Sequence, residues 1–177
     1  MGAHRVLVAF ASEQGSTAGI ARAIARALRA QGIDVDCLPA GSVTDVSPYE
    51  GVILGSGVFL PRRVSDGQGF LPRHAAALRG RPLWLFAAGP LGRVAPDDAS
   101  RDDAYRDACR PRRDSPLEQV ARSVGARGLA AFGASPEDAM RPGAGDSPYR
   151  ERERVRGWAN TIAADLDTLP QRRARTH

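Results

Sequence analysis

The 177-residue chain has no lysine: every one of its 25 basic residues is arginine. Against 20 acidic residues this leaves a formal net charge of +5. Such a balance suits an acidic partner or a carboxylate-bearing substrate, while a lysine-free chain is as much a composition bias as a designed patch. Aromatic residues make up 6% of the chain and are not interleaved with the arginines as single-strand recognition needs, which speaks against nucleic acid. Cysteine is nearly absent. Cys37 and Cys109 stand alone, without CxxC or Cys/His spacing, and read as reduced thiols. His4, His74 and His177 are too scattered to suggest a metal site. Long hydrophobic runs are also missing. Val6 to Ala11 is too short for a signal-peptide core or a membrane span, and no later segment is long enough either. Met1-Gly2-Ala3-His4-Arg5-Val6 lacks the Ser/Thr of a myristoylation signal, so the expected location is the cytoplasm.

What is present is an orderly alternation of apolar patterns. Arg5 to Phe10 reads as a buried strand. Ala18 to Gln31 follows as a helix, with Ile20, Ala23, Ile24, Ala27 and Leu28 on one face and Gly32 as its stop. Ile33 to Leu38, Val52 to Gly57 and Pro82 to Ala88 read as the next strands. Before the fourth, His74 to Leu78 is helical, whereas Gly67, Gly69 and Pro72 predict an irregular or loop-like beginning. Arg93 to Asp114 is strongly polar and mixed in charge, and reads as a solvated surface loop. Ser115-Pro116-Leu117-Glu118 carries a helix-start signature for a short helix through Val124 that Gly125 ends. Gly128 to Gly133 is the last strand. Ser147-Pro148 opens the final helix, with Val155, Trp158, Ala159, Ile162, Ala163 and Leu166 as its stripe.

Alternating strands and helices imply an α/β domain, here over residues 1–170, with 171–177 as a basic C-terminal tail. Five strands fit a doubly wound parallel sheet of order 2-1-3-4-5, whose ligands sit at the carboxyl ends of strands one and three. Three loops line that crevice: Ala11 to Thr17, Ser56 to Arg63 and Gly89 to Arg93. Only Gly15 follows strand one where a dinucleotide fold has GxGxxG, a P-loop needs a lysine, and a receiver domain needs acids that are absent here. What remains is a mononucleotide phosphate. Ser12, Ser16 and Thr17 offer hydroxyls, Gln14 an amide, and Gly15 the freedom to turn amides toward a dianion at a helix start, with Glu13 directed to solvent. The same hexapeptide also suits an ordinary capped turn, and by itself divides evenly between the two readings.

Ser12-x-x-Gly15-x-Thr17 is similar to the phosphate loop of flavodoxins, and VILGSGVF resembles their isoalloxazine loop. The segments ASEQGSTAGIARAI, GVILGSGVFLPR, FLPRHAAALRGRPLWLF, GPLG and VRGWANTIA look more specifically like the flavodoxin-domain relatives of the menaquinone-dependent protoporphyrinogen oxidase. The resemblance implies a flavodoxin-like fold and FMN as cofactor. It gives Ser12, Gln14, Gly15, Ser16 and Thr17 to the phosphate, Ser56, Gly57, Val58 and Phe59 to the ring-side loop, and Gly89, Pro90, Leu91 and Gly92 to the other edge. It implies an FMN-dependent oxidoreductase acting on a reduced aromatic or porphyrinogen-like substrate or a quinone, with the cofactor performing the redox step and no catalytic triad needed. Arg62, Arg63 and Arg93 would form a cationic rim for an anionic substrate group, or else belong to solvated loops of an arginine-rich chain.

The pattern departs from its relatives at Gln14, where flavodoxins commonly have Thr, at Phe59, where Tyr or Trp is frequent, and in a third loop without an aromatic. Two rival readings stay open: an electron carrier between redox partner proteins, and a flavin-free module of the same fold with a binding or non-redox role. Trp84, Trp158 and His74 read as packing residues. The number of subunits leaves no trace in the sequence.

Overall fold

The computed structural model describes residues 4–11, 15–56, 65–88, 116–132 and 148–169, with the backbone alone at 16, 65–68, 116, 117 and 148–151. In chain order the elements are β1 (Arg5–Phe10), α1 (Ser16–Arg29), β2 (Asp34–Pro39), a 3-10 turn at Ala40–Ser42, β3 (Gly51–Ser56), α2 (Ser65–Leu78), β4 (Leu83–Ala88), α3 (Pro116–Ser123), β5 (Gly128–Phe132) and α4 (Pro148–Asp167). The five strands are parallel in the order β2-β1-β3-β4-β5, as the alternation of elements predicts. The Cys109, Ser115, Ser147 and 93–114 readings and the tail lie outside the described residues.

Alternation along β1 explains why both faces are covered. Val6, Val8 and Phe10 enter one core with α1 and α4, where Ile24, Leu28, Ile162 and Leu166 are fully buried. Leu7 and Ala9 enter the other, with Phe70 of α2 and Ala121 of α3. Each central strand therefore has to be apolar at nearly every position. The predicted stripes of α1 and α4 face the first core, and Gln31 Nε2 donates to Asn160 Oδ1 at 2.9 Å to join their outer edges.

Trp84 ties three strands together near their amino ends. Its ring fills the space a side chain would need at Gly51 of β3, where a Cβ would stand 2.9 Å from Cζ3, and at Gly128 of β5, 3.1 Å from Cδ1. Its Nε1 donates to Asp165 Oδ2 at 3.3 Å. Trp158 joins Phe86 and Phe132 in an edge-packed aromatic group, so both tryptophans serve packing.

The start of α2 differs from expectation. The helix begins at Ser65 and runs through Gly67, Gly69 and Pro72 to Leu78. Phe70 explains this: its ring is fully buried between the sheet and α2, with His74 buried 4.7 Å away, centroid to centroid. Burying an aromatic of that size contributes about 1.5–3 kcal/mol, enough to offset much of the roughly 3 kcal/mol that an interior proline costs. α1 begins two residues before Ala18, and the remaining boundaries agree to within one or two residues.

Candidate functional site

The carboxyl ends of β1, β3 and β4 lie side by side because Phe10 pairs with Gly55 and Ser56 with Ala87. The chain leaves β1 toward β2 on one side while β3 lies on the other, so the crevice opens between β1 and β3. Ala11 N donates to Gly55 O at 2.8 Å, extending the ladder one residue beyond β1 and fixing the point where the first loop departs.

The amino end of α1 stands over this crevice. Gly15 is its N-cap with φ 108° and ψ −159°, a conformation reserved for glycine, and no side chain caps the helix. The first intrahelical bond runs from Gly19 N to Gly15 O at 3.4 Å, leaving the amides of Ser16, Thr17 and Ala18 to find partners outside the helix. The first turn has no acidic residue. Thr17 and Ser56 are both buried, at 2% and 5% exposure, and among the described residues a Cβ on Gly15 would meet nothing within 4 Å. Amides without an intrahelical acceptor, a positive helix end and buried hydroxyl-bearing residues fit a phosphate dianion. Among the described residues of the cradle, Ala11, Gly15–Ala18 and Gly55–Ser56, no side chain ionises.

The structure thus brings together Gly15, Ser16, Thr17 and Ser56 of the predicted site. Ser12, Gln14, Gly57, Val58, Phe59, Gly89, Pro90, Leu91 and Gly92 lie outside the described residues, as do Arg62, Arg63 and Arg93. One supporting contact escaped the sequence: Gly55 lies directly against the ring of Phe86, its register partner in β4. A glycine just before the end of a central strand is the signal that would have raised the question. His74 stands away from the crevice, in the second core beside Phe70, and Arg73 Nε donates to its Nε2 at 3.4 Å.

Among the described residues no helix is long and apolar enough to cross a membrane, and no group of three or more His, Cys, Asp or Glu could hold a metal.

No curated protein matches the chain. Among solved structures it is similar to a flavodoxin from the domain Archaea, with a TM-score of 0.60 at 14% identity over 92% of this chain and 99% of that one. It is similar also to a two-electron reduced Megasphaera elsdenii flavodoxin, with a TM-score of 0.54 at 20% identity over 88% and 98%. A Streptococcus pneumonia flavodoxin aligns with a TM-score of 0.55 at 20% identity over 91% and 99%. At these identities the likeness is one of fold. A sequence model of the flavodoxin domain matches residues 7–124, from the third residue of β1 to just past the end of α3, and with the strand order and the crevice already described it places the chain in the flavodoxin domain family.

Proposed function

We propose that this chain is an FMN-dependent oxidoreductase whose cofactor is held at the carboxyl ends of β1, β3 and β4. Membership in the flavodoxin domain family implies FMN. The observation that carries the proposal to these residues is the amino end of α1: amides without an intrahelical acceptor, no acid in the first turn, and Gly15 in a glycine-only conformation at the switch point. Gly15, Ser16 and Thr17 would hold the phosphate together with Ser12 and Gln14, and Ser56 would start the ring-side loop that continues through Gly57, Val58 and Phe59. Gly89, Pro90, Leu91 and Gly92 would border the opposite edge. When bound, FMN supplies one- and two-electron redox chemistry, and this chain supplies binding, orientation and exclusion of water.

For substrate, we extend the reading to a reduced aromatic or porphyrinogen-like molecule or a quinone, with Arg62, Arg63 and Arg93 meeting an anionic group. This part rests on the sequence segments that resemble the protoporphyrinogen oxidase relatives and on the positive net charge. A flavodoxin-type carrier serving a redox partner protein is the second reading, and the family itself favours it.

Reconstitution tests the cofactor. A ligand that binds only the folded state at about a hundred times its Kd stabilises it by about 2.7 kcal/mol, so saturating FMN should raise the melting temperature by roughly 5–11 °C for a chain of this size. An unchanged melting temperature refutes FMN binding and leaves the flavin-free module. Turnover of a porphyrinogen or quinone by the loaded protein supports the enzyme, whereas rapid reduction by a flavodoxin reductase without small-molecule turnover supports the carrier.

A further inference from the structure

At the opposite end of the sheet, where the strands begin, a groove of about 780 Å³ runs between the last turn of α2, the start of β4 and the link from α3 to β5. Its half-buried apolar side chains include Leu71, Leu78 and Val124. Arg79, Arg81, Arg122 and Arg127 also line it, and among the described lining residues there is no Asp or Glu. Helices attract cations to their carboxyl ends, so some of these arginines have a local duty. Arg81 Nη1 accordingly donates to Ala77 O at 2.9 Å and to Val46 O at 3.2 Å, closing α2. Arg122 Nε donates to Glu118 O at 3.4 Å on α3. Arg79 and Arg127 are different. They stand on separate walls, one after α2 and one before β5, and neither forms a side-chain hydrogen bond or ion pair with any described residue.

We infer that this groove docks an acidic segment of a partner protein, with carboxylates reaching Arg79 and Arg127 and an intervening apolar side chain resting on Leu78 and Val124. Charge selects the class, since the described lining carries four arginines and no acid of its own. Size and placement select a segment over a compact anion: the groove has a volume of about 780 Å³, and Arg79 and Arg127 stand on different walls. The site is independent of the cofactor crevice. Leu83 begins β4 here and Ala88 ends it there, a distance of about 17 Å at roughly 3.3 Å per residue. A partner held here would leave the crevice open.

The test uses the full chain and a fluorescein-labelled octapeptide of alternating Glu and Leu, followed by anisotropy at low ionic strength. The wild-type chain should bind it, and Arg79→Glu with Arg127→Glu should weaken binding by about tenfold or more. Charge reversal of Arg22 and Arg26 on the exposed face of α1 should change it by less than about twofold, and a Lys/Leu octapeptide should not bind. Thermal unfolding of the Arg79/Arg127 variant checks its fold, with Arg79→Gln and Arg127→Gln as the milder pair. No binding by the wild-type chain overturns the proposal, as does an equal loss in the α1 variant. Release from phosphatidylglycerol vesicles by the same two substitutions, with no peptide binding, also overturns it and makes the groove a lipid-surface site.

Discussion

Adding one methyl group at Gly55 should unsettle both the core and the cofactor crevice. A Cβ there would stand 2.0 Å from Phe86 Cζ, 2.4 Å from Cε1 and 2.5 Å from Cε2, so the ring would have to leave its place. Phe86 is fully buried, 6.1 Å from Phe132 and 6.2 Å from Trp158 between ring centroids, and those two rings lie 5.6 Å from each other. None can yield without opening the group. Overpacking costs about 1–3 kcal/mol in general, and a phenylalanine that loses its seat moves toward the roughly 3–5 kcal/mol scale of Phe→Ala. We expect Gly55→Ala to cost about 3 kcal/mol, read as a fall in melting temperature of roughly 6–12 °C. Urea unfolding followed by tryptophan emission measures the free energy directly. Because Gly55 O accepts from Ala11 N, the variant should also retain FMN less well. Phe86→Leu in the same chain should recover part of the loss, since a leucine has no ring face to strike. A Gly55→Ala chain within about 0.5 kcal/mol of wild type, or a double mutant with no coupling, would refute the argument.

The other glycine and ionisation predictions are smaller. Gly15→Ala should cost about 1–3 kcal/mol through backbone strain, because the added methyl meets nothing among the described residues. Gly19→Ala, in an ordinary helical position with equal space, should stabilise the chain by roughly 0.5–1 kcal/mol; chemical denaturation of the pair separates conformation from crowding. Burial, and then the hydrogen bond that Tyr49 gives Asp36 at 2.8 Å, push the Tyr49 hydroxyl up to about 12. Between its unfolded value near 10 and its folded one, the unfolded chain loses that proton first, so this contribution to stability is full below pH 10 and disappears as pH rises toward 12. The hydrogen bond from Tyr49, and then Arg5, hold Asp36 below the ordinary carboxylate range, so its contribution is present above about pH 4 and is lost on acidification. Tyr49→Phe should flatten the alkaline arm and weaken the acid one, measured as urea midpoints against pH; an unchanged alkaline slope would contradict this.

Periodicity made most of the fold legible. The α1 stripe from Ile20 to Leu28 and the α4 stripe from Val155 to Leu166 record which face meets the sheet, and both are buried or partly buried as spaced. The start of α2 was not legible, because Gly67, Gly69 and Pro72 speak for local preference while Phe70 answers to the core. The Arg5–Asp36–Tyr49 group was hidden for a related reason: its members are brought together by strand pairing, with Arg5 Nη2 donating to Asp36 Oδ2 at 3.0 Å across β1 and β2. In the crevice, Gly15 and Thr17 were legible as loop chemistry. Gly55 was not, since only the register between β3 and β4 reveals the ring beneath it.

The two tryptophans also make this molecule its own optical gauge. Trp84 is clasped between Gly51 and Gly128 at the start of the strands, and Trp158 packs on Phe132, the last residue of β5. Trp84 and Ala88, the register partner of Phe132, are four residues apart on β4, or about 13 Å along the strand direction. A yellow chromophore seated at the carboxyl ends would therefore darken the two indoles unequally, Trp158 more than Trp84. Emission from Trp84→Phe and Trp158→Phe chains would then report which end of the sheet a ligand has entered, without any label attached.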